Sequence, residues 1–81
     1  MSEINQVTLH DGPEPWAASV EVHWNISYMG WGRRRRHRRI AKSLNGLDIA
    51  DYQTRYDTVM DVTHIYFRNK DDAVSSYFYL S

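Results

Sequence analysis

The clearest pattern along the chain is a strict alternation of apolar and polar residues over residues 18–28. Apolar side chains stand at every second position, with a polar residue between each pair: Ala18, Val20, Val22, Trp24, Ile26 and Tyr28. A period of two sustained over this length is typical of a β-strand with one buried and one solvated face. We therefore predict a strand over 18–28, with Trp24 near the middle of the core.

Three further segments are compatible with strands. Residues 5–10 place Val7 and Leu9 on one face, before a turn rich in glycine and proline. Residues 59–67 are rich in β-forming residues and apolar on both faces, which favours a central strand. Residues 47–58 alternate less cleanly because aspartates interrupt the pattern. That segment predicts a loop followed by an edge strand.

A helix is predicted over residues 33–45, because Gly30 and Gly32 break the preceding strand and apolar residues then recur at helical spacing. The sequence Asn45-Gly46 predicts a left-handed stop. On a helical wheel, Arg36 lies at the border between two sides. One side forms the face expected to dock on the sheet: Arg33, His37, Ile40, Ala41 and Leu44.

A second helix is predicted over residues 71–80, with Asn69 or Asp71 as its cap. Its packing face would comprise Ala73, Val74, Tyr77 and Phe78, whereas Tyr79 would be exposed. Strands and helices in this order predict an α+β two-layer sandwich. We expect a single small domain over residues 1–81, with a three- or four-stranded, mainly antiparallel sheet and two helices on one face.

The length and the absence of cysteine restrict how this domain is stabilised. A chain of 81 residues without cysteine has one small core, no disulfide framework and no thiolate metal site. Three Trp, six Tyr and two Phe must then supply much of the buried area. No signal-peptide pattern or long apolar run is visible. We therefore expect a cytoplasmic protein, in a host cell, that does not partner a membrane.

The formal charge of zero hides a strong asymmetry between segments. Residues 33–42 carry seven cationic side chains, whereas the rest of the chain has ten acidic residues and only three basic ones, Arg55, Arg68 and Lys70. The remainder of the chain is therefore net −7. A neutral total would by itself argue against binding to an anionic surface. The concentration of positive charge in one segment is the more informative quantity, and it favours such binding.

The arginine run has three interpretations: a solvated helix face, a nucleic-acid contact, or a docking surface for an acidic protein. Arginine favours phosphate because its planar guanidinium makes bidentate hydrogen bonds and stacks on bases. Cations in the first helical turn oppose the helix dipole, and an anionic ligand would relieve that cost. Trp31 would add a stacking surface. The candidate binding residues are Arg34, Arg35, Arg38, Arg39, Lys42 and Trp31, with Arg36 at the border.

Patterns typical of enzymes are weak. The four histidines show no metal-binding spacing, and Asp71-Asp72 at a helix start is interpreted as capping chemistry. His23 and His64 are interpreted as ordinary polar positions on strands, and His37 as a partly buried histidine on the docked face. We therefore expect no catalytic residue, metal ion or cofactor.

The C-terminal segment HIYFRNKDDAVSSYFYLS combines an aromatic-rich strand, a polar turn, Asp-Ala and a short helix. In this respect it resembles the ending of many small tailed-phage proteins, through Tyr66, Phe67, Asp72, Ala73 and Val74. It departs from them over residues 75–80, which contain neither the usual lysine nor the tryptophan. The resemblance implies a viral source and a strand–turn–helix ending, and it brings no site residue.

These observations lead to a first hypothesis and an alternative. The first is a small non-enzymatic phage-type protein that contacts DNA or RNA through the arginine-rich helix. The alternative is a phage-encoded inhibitor that binds an acidic surface of a host protein, such as a defence or transcription complex. In that case the aromatic C-terminal residues 77–80 would anchor the partner, or a second copy of the chain in a homodimer.

Overall fold

The computed structural model describes residues 3–25 and 32–81, the side chains of residues 32 and 33 excepted. Four strands and two helices follow one another in the order ββαββα. They are β1 Ile4–Asp11, β2 Ala18–Trp24, α1 Gly32–Gly46, β3 Tyr52–Asp57, β4 Val62–Phe67 and α2 Lys70–Leu80. The predicted element order is confirmed.

The four strands form one antiparallel sheet with the order β1-β2-β4-β3. The segment predicted as a central strand, β4, lies between β2 and β3, and the segment predicted as an edge strand, β3, lies at an edge. The register places Val20 of β2 between Leu9 of β1 and Ile65 of β4. Cross-strand neighbours of this kind put the apolar side chains of three strands on the same face of the sheet.

The helices cover this apolar face, so the fold is the predicted α+β sandwich. Ile40 and Leu44 of α1 and Ala73 and Leu80 of α2 pack in the same buried cluster as the inward side chains of the sheet. The opposite face of the sheet carries no helix among the described elements, and its side chains are mostly polar. The most completely buried larger side chains are Val20, Val22, Ile40, Leu44, Ile65 and Phe67.

The apolar–polar alternation that predicted β2 extends to residue 28, which is further than the strand itself. The strand ends at Trp24, and residues 26–28 lie outside the described part of the chain. Trp24 is buried in the core, as predicted, and its indole Nε1 donates a hydrogen bond to Thr63 Oγ1 at 2.8 Å. This bond satisfies the polar atom of the indole where the ring enters the core.

The predicted start of β4 is wrong by three residues. Residues 58–61 form a turn, and the strand begins only at Val62. The Asp57 carboxylate accepts hydrogen bonds from the backbone N–H groups of Val59 and Met60, at 3.0 and 3.1 Å. An aspartate that bonds nearby backbone groups competes with the strand ladder. As a result Val59 and Met60, expected within a strand, are 89% and 70% exposed.

The left-handed residue that ends α1 is Asp48, with φ +60°, rather than Gly46. The N–H of Asp48 donates to the Asn45 carbonyl at 3.0 Å, and the N–H of Ile49 donates to the Leu44 carbonyl at 2.9 Å. This pair of bonds is the Schellman arrangement, and the apolar contact that usually accompanies it is supplied by Ile49 and Leu44, both in the core. Aspartate tolerates this conformation better than most residues.

Helix α2 begins at Lys70, one residue before the predicted start. Its cap is Asn69, one of the two predicted candidates, whose side chain accepts a hydrogen bond from the N–H of Asp71 at 2.9 Å. Ala73 is buried and Tyr77 packs against the core, also as predicted. Phe78, however, is 71% exposed, so its assignment to the packing face is wrong. The buried stripe of α2 is formed by Ala73, Ser76 and Leu80, and Phe78 lies opposite that stripe on the helix.

We expect Trp24→Ala to lower the free energy of unfolding by about 3–5 kcal/mol, because it removes a large core side chain and leaves Thr63 without its partner. The matched control is Trp16→Ala, since Trp16 is half-buried and stacks on Tyr66 outside the core cluster. That variant should lose only about 1 kcal/mol. Urea denaturation followed by circular dichroism measures both, and equal losses would contradict the placement of Trp24.

Candidate functional site

Helix α1 divides the arginine run between its two faces. Arg36, Ile40, Ser43 and Leu44 are buried, and Arg39 and Ala41 are half-buried. The exposed side chains of the run are Arg34, Arg35, His37, Arg38 and Lys42. The buried face therefore differs from the face predicted from the apolar positions. It is rotated by about 50° around the helix axis, towards Arg36 and Ser43.

Arg36 is the residue responsible for this rotation. Its guanidinium Nη1 donates to Asp61 Oδ1 and, at 3.1 Å, to the Tyr56 hydroxyl. The guanidinium carbon also lies 5.7 Å from the centre of the Trp24 ring, and the residue is only 5% exposed. Arg36 was expected at the border of the basic surface. It is instead an internal charge held by a carboxylate of the same chain.

Tyr56 and Asp61 complete this internal cluster. The Tyr56 hydroxyl donates to the same carboxylate oxygen that accepts from Arg36. Burial raises the pKa of Tyr56, and its hydrogen bond to Asp61 acts in the same direction, so the hydroxyl remains protonated at neutral pH. One aspartate thus connects α1, β3 and the turn before β4.

The expectation that His37 is partly buried is wrong, because its side chain is exposed. Since Arg36 occupies the inward position beside Tyr56 and Trp24, the next residue along the helix is turned about 100° away from it. Of the other residues expected to dock, Ile40 and Leu44 are buried. The side chain of Arg33 lies outside the described part of the chain.

Among the side chains of α1 that the structure describes, five cationic ones remain on the outward side, and we call them the basic ridge: Arg34, Arg35, Arg38, Arg39 and Lys42. Arg34, Arg38 and Lys42 follow one another at intervals of four residues, which places them in a row with a rise of about 6 Å per step. Arg35 and Arg39 form a parallel row beside it. Between the rows is a shallow open depression lined by Glu3, Arg35, Arg38, Arg39 and Lys42.

The basic ridge is only partly neutralised by the chain's own carboxylates. Arg35 Nη2 lies 3.4 Å from Glu3 Oε1, and Arg39 Nη1 hydrogen-bonds to the uncharged Ser43 hydroxyl at 2.5 Å. Within residues 3–25 and 32–81, no carboxylate comes within 4 Å of Arg34, Arg38 or Lys42. By contrast, two of the three cations elsewhere have acidic neighbours, Arg68 with Asp51 and Lys70 with Asp11.

The structure therefore brings together the five cationic residues predicted from the sequence, whereas Trp31 lies outside the described residues. It adds an aromatic residue that sequence reasoning did not assign to this surface. Tyr79 of α2 lines a second depression together with Arg39, Lys42 and Ser43. The sequence did indicate that Tyr79 is exposed, which is confirmed. The contact between α1 and α2 that places it here has no sequence signature.

The open face of the sheet holds the remaining histidines. His10 Nε2 and His23 Nε2 lie 3.0 and 3.3 Å from the two carboxylate oxygens of Glu21, and His64 is the neighbour of Glu21 across the β2–β4 pair. His64 also stacks on Tyr66 at a ring distance of 6.3 Å. In the described residues, no three histidine or acidic side chains are arranged to hold a metal ion.

Comparisons with protein-family models, curated proteins and solved structures gave no match. The resemblance of the C-terminal segment to small phage proteins thus stays a prediction from the sequence. Neither of the two described helices has the length and apolar character needed to cross a membrane.

We expect Asp61→Ala to lower the free energy of unfolding by about 3 kcal/mol, because Arg36 would keep a buried charge without its carboxylate. The matched control is Asp51→Ala, which removes the same side chain from the exposed pair with Arg68. It should cost no more than about 1 kcal/mol. Urea titration compares the two, and a loss for Asp61→Ala as small as that of the control would show that the cluster does not stabilise the fold.

Proposed function

We propose that this protein is a non-enzymatic binding protein that contacts nucleic acid through the basic ridge of α1. The observation that carries the proposal is the outward row of Arg34, Arg38 and Lys42, with no carboxylate of the described chain within salt-bridge distance. Cations presented in this way are available to an external anion.

A polyanion suits such a row better than a small anion does. Each cation that neutralises a phosphate releases a condensed counterion, and this release supplies most of the sequence-independent affinity for nucleic acid. Several cations on one rigid helix can act together, because the helix has already fixed their spacing. Arginine adds geometric fit, since its guanidinium makes two parallel hydrogen bonds to one phosphate.

The alternative of a purely solvated helix face is less favourable on energetic grounds. The ridge repeats like charges at intervals of four residues, as in Arg34 with Arg38, Arg38 with Lys42 and Arg35 with Arg39. Each such pair destabilises a helix by about 0.2–0.5 kcal/mol. The first turn of α1 also contains no acidic residue that would complement the helix dipole. A bound polyanion would remove both unfavourable interactions.

The direct test replaces Arg34, Arg38 and Lys42 together with glutamine. We expect weaker binding to every sequence alike and a shallower dependence of log K on log salt, by about 0.9 per lost contact on duplex DNA and about 0.7 on single strands. Fluorescence anisotropy with a labelled oligonucleotide, between about 50 and 200 mM salt, measures both quantities.

The matched control replaces Arg55, Arg68 and Lys70 with glutamine. It removes the same two arginines and one lysine, and hence the same net charge, from outside α1. All three control residues are exposed, so both variants should fold. Equal losses of affinity in the two triple variants would mean that only net charge matters, and absence of binding by the unmodified protein would refute the proposal outright.

A second candidate function is binding to an acidic surface of another protein, as expected of a phage-encoded inhibitor. The observation that favours it is the set of apolar side chains in solvent at Val59, Met60 and Phe78. Phosphate contacts do not require such side chains, whereas protein interfaces usually centre on apolar or aromatic anchors.

Replacing Val59, Met60 and Phe78 with serine separates the two candidates. If nucleic acid is the ligand, the affinity for an oligonucleotide should remain within about twofold of the unmodified protein, since surface substitutions away from a contact have small effects. If a protein is the ligand, an association that survives nuclease treatment should be lost in this variant. Nuclease-resistant association, measured by pull-down, would favour the second candidate.

A further inference from the structure

We infer that the nucleic acid bound by the basic ridge is single-stranded, and that Tyr79 stacks on one of its bases. This inference rests on the proposed function and names the class of ligand. It depends on the second depression, where an aromatic ring of α2 lies beside two cations of α1.

The direction of Tyr79 follows from the packing of α2. Ala73, Ser76 and Leu80 point into the core, and Tyr77 lines a depression with residues 4–7 of β1. Tyr79 is two residues beyond Tyr77, or about 200° around the helix, and so lies on the other flank of α2. That flank faces α1, where Tyr79 shares a depression with Arg39, Lys42 and Ser43.

Arg39 is held in place beside this ring. Its Nη1 donates to Ser43 Oγ, and the Ser43 hydroxyl donates in turn to the Arg39 carbonyl at 2.9 Å. A guanidinium has five N–H donors, so the bond to Ser43 leaves others for a phosphate. Because Ser43 restricts the side chain in advance, less conformational entropy is lost when a ligand binds.

Tyr79 has no evident role in the fold. The residue is 56% exposed and is not among those that pack against the core. No hydrogen bond or ring contact joins it to another described residue. The adjacent Phe78 is more exposed still, but it packs edge-on against Tyr77, with ring centres 5.3 Å apart.

An exposed phenol ring beside two cations suits a single-stranded nucleic acid, which offers unpaired bases to the ring and phosphates to the cations. Proteins that bind single strands combine a basic track for the phosphates with aromatic side chains on which bases stack. The faces of bases inside a duplex are already covered by their neighbours. A duplex could therefore contact the ridge through phosphates, but only an unpaired base can cover the ring of Tyr79.

The test uses two labelled strands of equal length, about 12 nucleotides, within the usual range of site sizes. One is oligothymidine, and the other is an abasic strand that keeps the sugars and phosphates without the bases. Their affinities are measured by fluorescence anisotropy for the unmodified protein and for Tyr79→Ala, Tyr79→Phe and Phe78→Ala. A duplex of the same length is measured alongside.

We expect the unmodified protein to bind oligothymidine more tightly than either the abasic strand or the duplex. Tyr79→Ala should weaken oligothymidine binding by about 5- to 150-fold, the usual range for a stacked base, and leave the abasic strand unchanged. Tyr79→Phe keeps the ring and should stay within about twofold, as should Phe78→Ala, which removes the neighbouring exposed ring and keeps Tyr79.

Two results would overturn this inference while leaving the proposed function intact. One is equal affinity of the unmodified protein for the abasic strand and oligothymidine. The other is an equal effect of Tyr79→Ala and Phe78→Ala. Absence of salt-dependent binding to all three nucleic acids would overturn the proposed function as well, so the two failures are distinguishable.

Discussion

The internal contact of Arg36 with Asp61 and Tyr56 determines how α1 is rotated on the sheet, and the surface of the protein depends on that rotation. A buried guanidinium without a carboxylate is costly, so the helix is most stable when Arg36 points at Asp61. A turn of one residue step would bury Arg35 or His37 there instead. With Arg36 fixed inward, Arg34 and Arg38, two residues to either side, lie about 200° around the helix and point outward.

The arginine run is thus divided between two different environments within one helix. One member stabilises the fold, and the basic ridge remains available to a ligand. Several of the acidic side chains that balance the chain's charge pair with cations outside the basic ridge, as Asp61 does with Arg36, Asp51 with Arg68 and Asp11 with Lys70. Because most of these pairs lie away from α1, the ridge keeps its positive charge in a protein whose net charge is zero.

Much of the fold could be predicted because it follows from local periodicity. The alternation around Val20 and Val22 specified a half-buried strand, and Ile40 and Leu44 specified a helix with one packed face. The rotation of that helix about its own axis could not be predicted. Few apolar positions constrained it, and the partner of Arg36 is distant in sequence. Asp61 lay in a segment expected to be a strand, where the hydrogen bonds of Asp57 instead form a turn.

The cationic residues of the candidate site could be predicted from the sequence, but its aromatic residue could not, for a related reason. A charge run is visible in any sequence, whereas the aromatic ring beside it, that of Tyr79, is placed there by the packing of two helices far apart along the chain. Ala73 and Ser76 form most of the buried stripe of α2, and α2 contacts α1 with Tyr79 beside Arg39. An isolated peptide covering 33–42 would keep every charge of the ridge, yet it would lack both the rotation set by Asp61 and the ring supplied by α2. Under the proposed function, selectivity for unpaired bases would be a property of the folded domain, whereas affinity for phosphate would be a property of the segment.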